Sequence, residues 1–173
     1  MSGSFSAELA RVQSRIGKSV YSVPWYLVLG EPLVGKSTFL RTSNLTMREA
    51  PIEGQYCHYW LANEAVMIEA REPLVGPNKN LALLRDLIEC VLNLRPREPL
   101  DGIVLVMSAT DIAERVEEPL EEHAQHLRSY LIEVCRTLQV DIPVYVVINR
   151  YDTLWGFAEV FSWNADRAKE DSW

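Results

Sequence analysis

The decisive stretch is Trp25-Tyr-Leu-Val-Leu-Gly30-Glu-Pro-Leu-Val-Gly35-Lys36-Ser37. Its first five residues form an apolar run of strand length, which predicts a buried central strand that ends at Gly30. The rest fits G-x-x-x-x-G-K-[ST], a loop whose backbone N–H groups surround a phosphate. Because a helix-competent segment follows, the stretch predicts the strand, loop and helix that open a P-loop nucleotide-binding domain.

The motif also predicts which residues contact the nucleotide. Lys36 is expected to reach the β- and γ-phosphates, and the Ser37 hydroxyl is expected to be a ligand of Mg²⁺. A glycine-rich turn that binds nothing is the alternative interpretation of the same pattern. The predicted phosphate contacts are Gly30, Glu31, Pro32, Leu33, Val34, Gly35, Lys36, Ser37 and Thr38.

Apolar strands alternate with amphipathic helices along the rest of the chain. This alternation predicts a three-layer α/β domain with a mainly parallel sheet that is covered on both faces. We expect an amphipathic helix and linker over residues 1–22 and the P-loop domain over residues 23–173. Asp111 is predicted to cap a short helix, and Trp25, Trp60 and Trp155 are predicted to fill the core or a helix-to-sheet interface. The predicted elements are helices over 7–17, 80–94 and 120–138 and strands over 25–29, 56–62, 65–70, 103–107 and 144–148.

Composition excludes several classes of protein. Seventeen Lys and Arg against 24 Asp and Glu give a net charge of -7, which disfavours nucleic acid as a partner. No apolar run approaches the roughly 20 residues that a bilayer span requires, so we expect no membrane insertion by this chain. Cys57, Cys90 and Cys135 lie far apart and form no C-x-x-C, which favours a reducing, cytoplasmic location.

A second motif is predicted to read the base. Asn149-Arg-Tyr-Asp152 follows the strand over 144–148, where P-loop GTPases carry N-K-x-D. Asp152 would accept from the guanine N–H groups, Asn149 would address the other edge, and Arg150 replaces the usual Lys. GTP or GDP with Mg²⁺ is therefore the expected ligand, with ATP left open. The alternative is that Asn149 and Asp152 only cap the next helix.

The motif that P-loop GTPases use for catalysis is altered. Where D-x-x-G is expected, the strand over 65–68 runs into Glu69-Ala-Arg-Glu72. Glu69 keeps a carboxylate and is a second candidate ligand of Mg²⁺, whereas Glu72 cannot replace a glycine that approaches the γ-phosphate closely. Glu69 and Arg71 are weak catalytic candidates, and Arg71 is expected to pair with Glu69 or Glu72 instead. Hydrolysis is therefore expected to be slow or absent.

Two smaller patterns are interpreted without a function. Glu31-Pro-Leu-Val-Gly35 recurs as Glu72-Pro-Leu-Val-Gly76, which we take as coincidence because the second copy lacks the Lys and Ser of a phosphate loop. His123 and His126 stand three residues apart on a predicted helix, a spacing that suits a metal ion. Because no third imidazole or thiolate is near, a solvated polar face is the favoured interpretation.

Four ordered stretches resemble the cytoplasmic nucleotide-binding domain of the IcmF/TssM family of bacterial type VI secretion systems. Val23-Pro-Trp-Tyr-Leu-Val-Leu-Gly30 is similar to the family's L-P-W-Y-L-V-I-G, and Cys57-His-Tyr-Trp-Leu-Ala-Asn-Glu-Ala-Val-Met-Ile-Glu69 is similar to C-D-W-W-F-T-D-E-A-V-L-I-D. Arg95-Pro-Arg-Glu-Pro-Leu-Asp-Gly-Ile-Val-Leu-Val106 is similar to R-P-R-x-P-L-N-G-V-I-L-T. Residues 142–159 are similar to F-P-V-Y-V-L-F-T-K-C-D-L-L-x-G-F-x-E.

The resemblance implies a GTPase-like domain at the cytoplasmic face of the inner membrane, with other membrane-complex or baseplate proteins of type VI secretion as partners. Together with the altered motif at residues 69–72, it leads us to expect a conformational or docking element with weak or absent hydrolysis. A nucleotide-independent scaffold with a relic phosphate loop is the alternative. The family's D-T-A-G is replaced here by residues 69–72, and its transmembrane helices and periplasmic part are absent. A sheet without its last strand, in a fragment or a truncated copy, is also an expectation from this comparison.

Overall fold

The computed structural model describes residues 2–114, 120–160 and 162. Within them one sheet has six strands in the order β2-β3-β4-β1-β5-β6. The strands are β1 (Trp25–Leu29), β2 (Ile52–Glu53), β3 (Cys57–Leu61), β4 (Val66–Ala70), β5 (Gly102–Ser108) and β6 (Val144–Asn149). The helices are α1 (Ser2–Ile16), α2 (Lys36–Thr42), α3 (Leu81–Leu94), α4 (Ala109–Glu114) and α5 (Leu120–Leu138), and a 3₁₀ turn spans Tyr151–Thr153.

The sheet is mainly parallel, as the sequence predicts. β1 lies inside it, parallel to β4 on one side and to β5 on the other, and β5 pairs in parallel with β6. β2, β3 and β4 form the antiparallel part. From β1 the chain continues to β2, β3 and β4 on one side of β1 and then crosses to β5 and β6 on the other side. At such a reversal of strand order, α/β sheets bind ligands in the crevice at the carboxyl ends of the strands, here at the end of β1. The phosphate loop begins there.

Both faces of the sheet carry a buried apolar cluster, which confirms three layers. One cluster joins the sheet to α1, α3 and α5 through residues such as Phe5, Leu84 and Val134. The other joins it to α2, with Leu40 packed beside Val28. α1 packs on α3 and contributes buried residues to the larger cluster. The division of the chain into residues 1–22 and 23–173 stays a prediction.

Three sequence predictions are wrong in detail. Asp111 lies inside α4 and does not cap it: its backbone N–H donates to Ser108 Oγ at 3.1 Å, so the cap comes from the end of β5. Trp155 is fully exposed because it lies in the turn after the 3₁₀ segment, and it is no part of the core. Among the described residues β6 is the last strand of the sheet, and Tyr145 and Val146 are at least half exposed there, so the predicted cover on both faces does not extend to this strand.

A buried arginine joins the end of α3 to the start of β1. Arg95 directly follows α3, and its guanidinium carbon lies 5.2 Å from the ring centres of both Tyr21 and Trp25. Its Nη1 donates to Pro99 O at 3.2 Å and to Asp101 Oδ2 at 3.1 Å. Asp101 Oδ2 also accepts from the backbone N–H of Trp25 at 2.7 Å. The side chain is 1% exposed, so this link is part of the interior.

Among the described residues, no helix combines the length and the apolar character that a membrane span requires.

Candidate phosphate-binding site

A cavity of about 510 Å³ opens at the carboxyl edge of the sheet. It gathers most of the predicted site residues, together with three that the sequence analysis did not assign to a ligand, Gln55, Glu72 and Val75. The predicted residues that line it are Pro32, Leu33, Gly35, Lys36, Ser37, Thr38, Glu69, Arg71 and Arg150.

The phosphate loop has a backbone that few residues other than glycine adopt. A Cβ on Gly30 would lie 2.3 Å from the carbonyl oxygen of Val106, so the loop passes directly over β5. Gly35 has φ 89° and forms the N-cap of α2. Leu33 also has a positive φ, 65°, and its side chain is 86% exposed at the cavity. A non-glycine residue in this region is strained, and such strain is concentrated at functional sites.

Lys36 is held inside this loop. Its Nζ donates to Gly30 O at 2.9 Å and to Glu31 O at 2.8 Å. Burial lowers the pKa of Lys36 to about 8, although Glu69 and Glu31 act in the opposite direction. The ammonium is therefore still mostly charged at neutral pH and lies where an anion entering the cavity would meet it.

Ser37 and Glu69 form the oxygen-rich part of the site. Ser37 Oγ donates a hydrogen bond to Glu69 Oε1, and Trp60 Nε1 donates to Glu69 Oε2 at 2.8 Å. His58 Nδ1 lies 3.7 Å from the same oxygen. A hydroxyl beside a carboxylate suits Mg²⁺, which takes few protein oxygens and keeps several waters. The two predicted metal ligands are thus adjacent, and their role towards the ion stays a prediction.

Arg71 has a different partner from the predicted one. Its Nη1 lies 3.0 Å from His58 Nε2, so the expected pairing with Glu69 or Glu72 is wrong. The reason is the register of the β3–β4 pair, which places His58 opposite Glu69 and within reach of Arg71. Arg71 remains exposed at the cavity.

The three residues of the predicted base-reading motif have different surroundings. Asn149 Nδ2 lies 3.4 Å from the carbonyl oxygens of Val34 and Gly35, so its amide contacts the phosphate loop. Arg150 adopts a left-handed conformation, φ 60°, and lines the cavity. Asp152 lies in the 3₁₀ turn and is exposed. The base-binding role of Asn149, Arg150 and Asp152 stays a prediction.

Helix α5 contributes two contacts that the sequence analysis missed. His123 is buried, and its Nδ1 lies 3.3 Å from Glu31 Oε1, while His126 Nε2 lies 3.1 Å from Gly76 O. The predicted solvated face for these two histidines is therefore wrong. The sequence did contain a signal that His123 is buried, because positions 123, 127, 130 and 134 repeat with the helical period of the buried face of α5. No cluster of three or more His, Cys, Asp or Glu suited to a metal ion occurs among the described residues.

Comparison with known proteins decides the family. Residues 78–173, more than half of the chain, match the IcmF-related N-terminal domain. The chain belongs to the IcmF-related family. The match includes α3, α5 and the Asn149–Asp152 motif, while the phosphate loop of this IcmF-related domain precedes it.

One curated relative is a Type VI secretion system component, TssM1 of Pseudomonas aeruginosa. It is 27% identical over an alignment of 158 residues, and the match covers 83% of the chain but 14% of that protein. The IcmF-related chain thus spans a small fraction of the relative's length.

Three solved structures are also similar. The first is the Sar1 GTPase of Encephalitozoon cuniculi in complex with GDP, with 17% identity and a TM-score of 0.32; the match covers 83% of this chain and 76% of that one. The second is Era with MgGDPNP and a 16S ribosomal RNA segment, with 20% identity and a TM-score of 0.38; the match covers 86% of this chain and 47% of that one. The third is Toc33 from Arabidopsis thaliana, with 13% identity and a TM-score of 0.37; the match covers 86% of this chain and 78% of that one.

Proposed function

We propose that this IcmF-related domain binds a guanine nucleotide with Mg²⁺ in the cavity at the end of β1. The observation that carries the proposal is the phosphate loop itself, a strained backbone that surrounds Lys36 and places Ser37 beside Glu69. Residues 23–173 would form the binding unit, with residues 1–22 packed on it. GTP or GDP is the expected ligand, and ATP is the competitor to be tested.

The residues have separable tasks in this proposal. Lys36 supplies the positive charge and the backbone N–H groups of the loop supply hydrogen bonds to phosphate oxygens. Ser37 and Glu69 would hold Mg²⁺, directly or through water, and the ion would neutralise phosphate charge when bound. Arg71 and Arg150 add positive charge at the rim of the cavity.

The likeness to TssM1 supports a place in type VI secretion. We propose that the domain is a conformational or docking element of the membrane complex, at the cytoplasmic face of the inner membrane. Its partners would be other membrane-complex or baseplate proteins, with no role for nucleic acid.

Hydrolysis of GTP is expected to be slow, on the order of 10⁻⁴ per second, the range of an unassisted GTPase. Glu72 lines the cavity and brings a negative charge where a catalytic glycine is expected. Replacing residues 69–72 together by Asp-Thr-Ala-Gly should raise the rate in a single-turnover assay. Fast hydrolysis in the wild type that this replacement leaves unchanged would place the catalytic groups elsewhere.

The base preference tests the proposal as a whole. Calorimetry with Mg²⁺ should show tighter binding of GTP than of ATP, because the Asp152 carboxylate accepts from guanine N–H groups that adenine lacks. Asp152→Asn should shift preference towards XTP, whose extra carbonyl requires a donor. Asp141→Asn, an equal charge change at an exposed position, is the control.

Equal binding of GTP and ATP by the wild type would remove the base-reading role of Asp152. If neither nucleotide binds, the nucleotide-independent scaffold is the better function. Two observations favour that alternative: both carboxylate oxygens of Glu69 already accept hydrogen bonds from the protein, and Glu72 adds negative charge to the cavity.

A further inference from the structure

Two loops meet at the cavity. One is the phosphate loop, and the other, here the second loop, is residues 71–77, which contributes Glu72 and Val75 to the lining. They touch at Gly76, where an added Cβ would lie 3.1 Å from Pro32 Cγ and 2.9 Å from Glu72 Oε1. Gly76 has φ 106°, so both its conformation and its surroundings require glycine. The repeated Glu-Pro-Leu-Val-Gly segments are thus neighbours in space.

The same helix holds both loops. Near the beginning of α5, buried His123 lies beside Glu31 of the phosphate loop, with 3.3 Å between Nδ1 and Oε1. Two turns later, the hydroxyl of Tyr130 accepts a hydrogen bond from the Gly76 N–H at 2.8 Å. Helix α5 therefore fixes the position of each loop relative to the other.

Tyr130 is built into the interior. Its side chain is fully buried, and burial raises its pKa to about 12, so the hydroxyl keeps its proton at neutral pH. His126 Nε2 lies 2.6 Å from the hydroxyl, and the Lys79 ammonium lies 5.1 Å from the centre of the ring. With this many contacts the hydroxyl has little freedom to leave Gly76.

The helix is itself rigidly supported. Leu127 and Val134 of α5 lie in the larger apolar cluster, where α5 packs on α3. Glu133 is buried and accepts a hydrogen bond from Arg85 Nε of α3 at 2.7 Å. A loop attached to such a helix is held by the core of the domain, in addition to the glycine that its own sequence supplies at position 76.

We propose that Tyr130 is a positioning residue of the nucleotide site, whose hydroxyl holds the second loop against Pro32 and thereby sets the distance between the two walls of the cavity. The inference rests on the proposed function, because it assigns Tyr130 to the same site. Tyr130 is absent from the residues that line the cavity, so it acts through Gly76 and touches no ligand. A change in α5 would in turn change the affinity of the site.

The test compares Tyr130→Phe with Thr137→Val. Both remove one hydroxyl from α5, but Thr137 Oγ1 donates only to Glu133 O within the helix. Tyr130→Phe should speed amide hydrogen exchange over residues 72–77 by at least about tenfold, because the Gly76 N–H loses its acceptor. Exchange in the β3–β4 pair should stay as in the wild type. Affinity for Mg²⁺-GTP should fall by about fivefold, the loss that corresponds to the typical net contribution of one hydrogen bond.

The outcomes separate this inference from the proposed function. If the wild type binds GTP and Tyr130→Phe binds it equally well, the positioning role is wrong and the nucleotide site stands. If the wild type binds no nucleotide, the proposed function is wrong. The role of Tyr130 in holding the second loop is then decided by exchange at Gly76 alone, where an unchanged rate overturns it. Should Tyr130→Phe fail to fold, His126→Ala is the second variant, because it removes the contacts to Gly76 O and to the Tyr130 hydroxyl but keeps the acceptor of the Gly76 N–H. Its affinity for Mg²⁺-GTP should fall in the same direction, and an unchanged affinity would overturn the positioning role.

Discussion

Lys36→Ala is expected to weaken binding of Mg²⁺-GTP by at least about tenfold, since hydrogen bonds to charged groups contribute roughly 1.5–3 kcal/mol each. Lys36 is the buried cation of the cavity, whereas Arg71 and Arg150 are exposed at its rim. Water screens those two more strongly, so they cannot replace the ammonium. Calorimetry with both proteins measures the difference.

Lys18→Ala is the matched control, because Lys18 is exposed and removing it changes the net charge by the same amount. The pH dependence adds a second readout. The charged form of Lys36 binds phosphate and its pKa in the free protein is about 8, so wild-type affinity should fall as the pH rises through 8. Lys36→Ala should lack that decline. Equal affinities for the wild type and Lys36→Ala would mean that the loop does not hold phosphate.

Arg95→Ala is expected to lower the free energy of unfolding by about 3 kcal/mol, the low end of the cost of breaking a buried ion pair. The change removes the Arg95 donor from the Pro99 carbonyl and from the Asp101 carboxylate, which keeps its hydrogen bond from the Trp25 N–H. It also opens a space beside the rings of Tyr21 and Trp25. Asp101 is partly exposed, so water offsets some of the loss. Urea denaturation measures the effect.

Arg97→Ala, two residues further on, is the control for the change of charge. Arg97 is exposed, and surface substitutions of this kind stay within about 0.5 kcal/mol. A similar stability for Arg95→Ala and Arg97→Ala would show that the buried guanidinium contributes no more than a surface one. Nucleotide affinity measured on the folded fraction should be unchanged, because Arg95 lies outside the cavity lining.

Features that depend on local sequence could be predicted. The strand, loop and helix around Gly30–Ser37 follow from a contiguous motif, and the β3–β4 hairpin follows from Asn63-Glu64 between two apolar runs. The adjacency of Ser37 and Glu69 followed from the parallel pairing of β1 with β4 that the motif implies.

Features that depend on long-range packing could not be predicted from the sequence. Arg95 is buried because it packs against Tyr21 and Trp25, some 70 residues earlier, and no local pattern signals that. A solvated face is the interpretation of His123 from sequence because no third imidazole or thiolate is near, although its spacing to Leu127 and Tyr130 marks the buried face. The contact between Pro32 and Gly76 could be recognised only when both loops were placed in space.

The exposed apolar strand β6 has a consequence for how this chain behaves in concentrated solution. Val146 is 57% exposed and Tyr145 50% on a strand that ends the described sheet, an arrangement that favours edge-to-edge association between molecules. The net charge of -7 opposes such association by long-range repulsion. Salt shortens the range of that repulsion to about 10 Å at 0.1 M and about 3 Å at 1 M. Colloidal stability of the isolated chain therefore depends on low ionic strength.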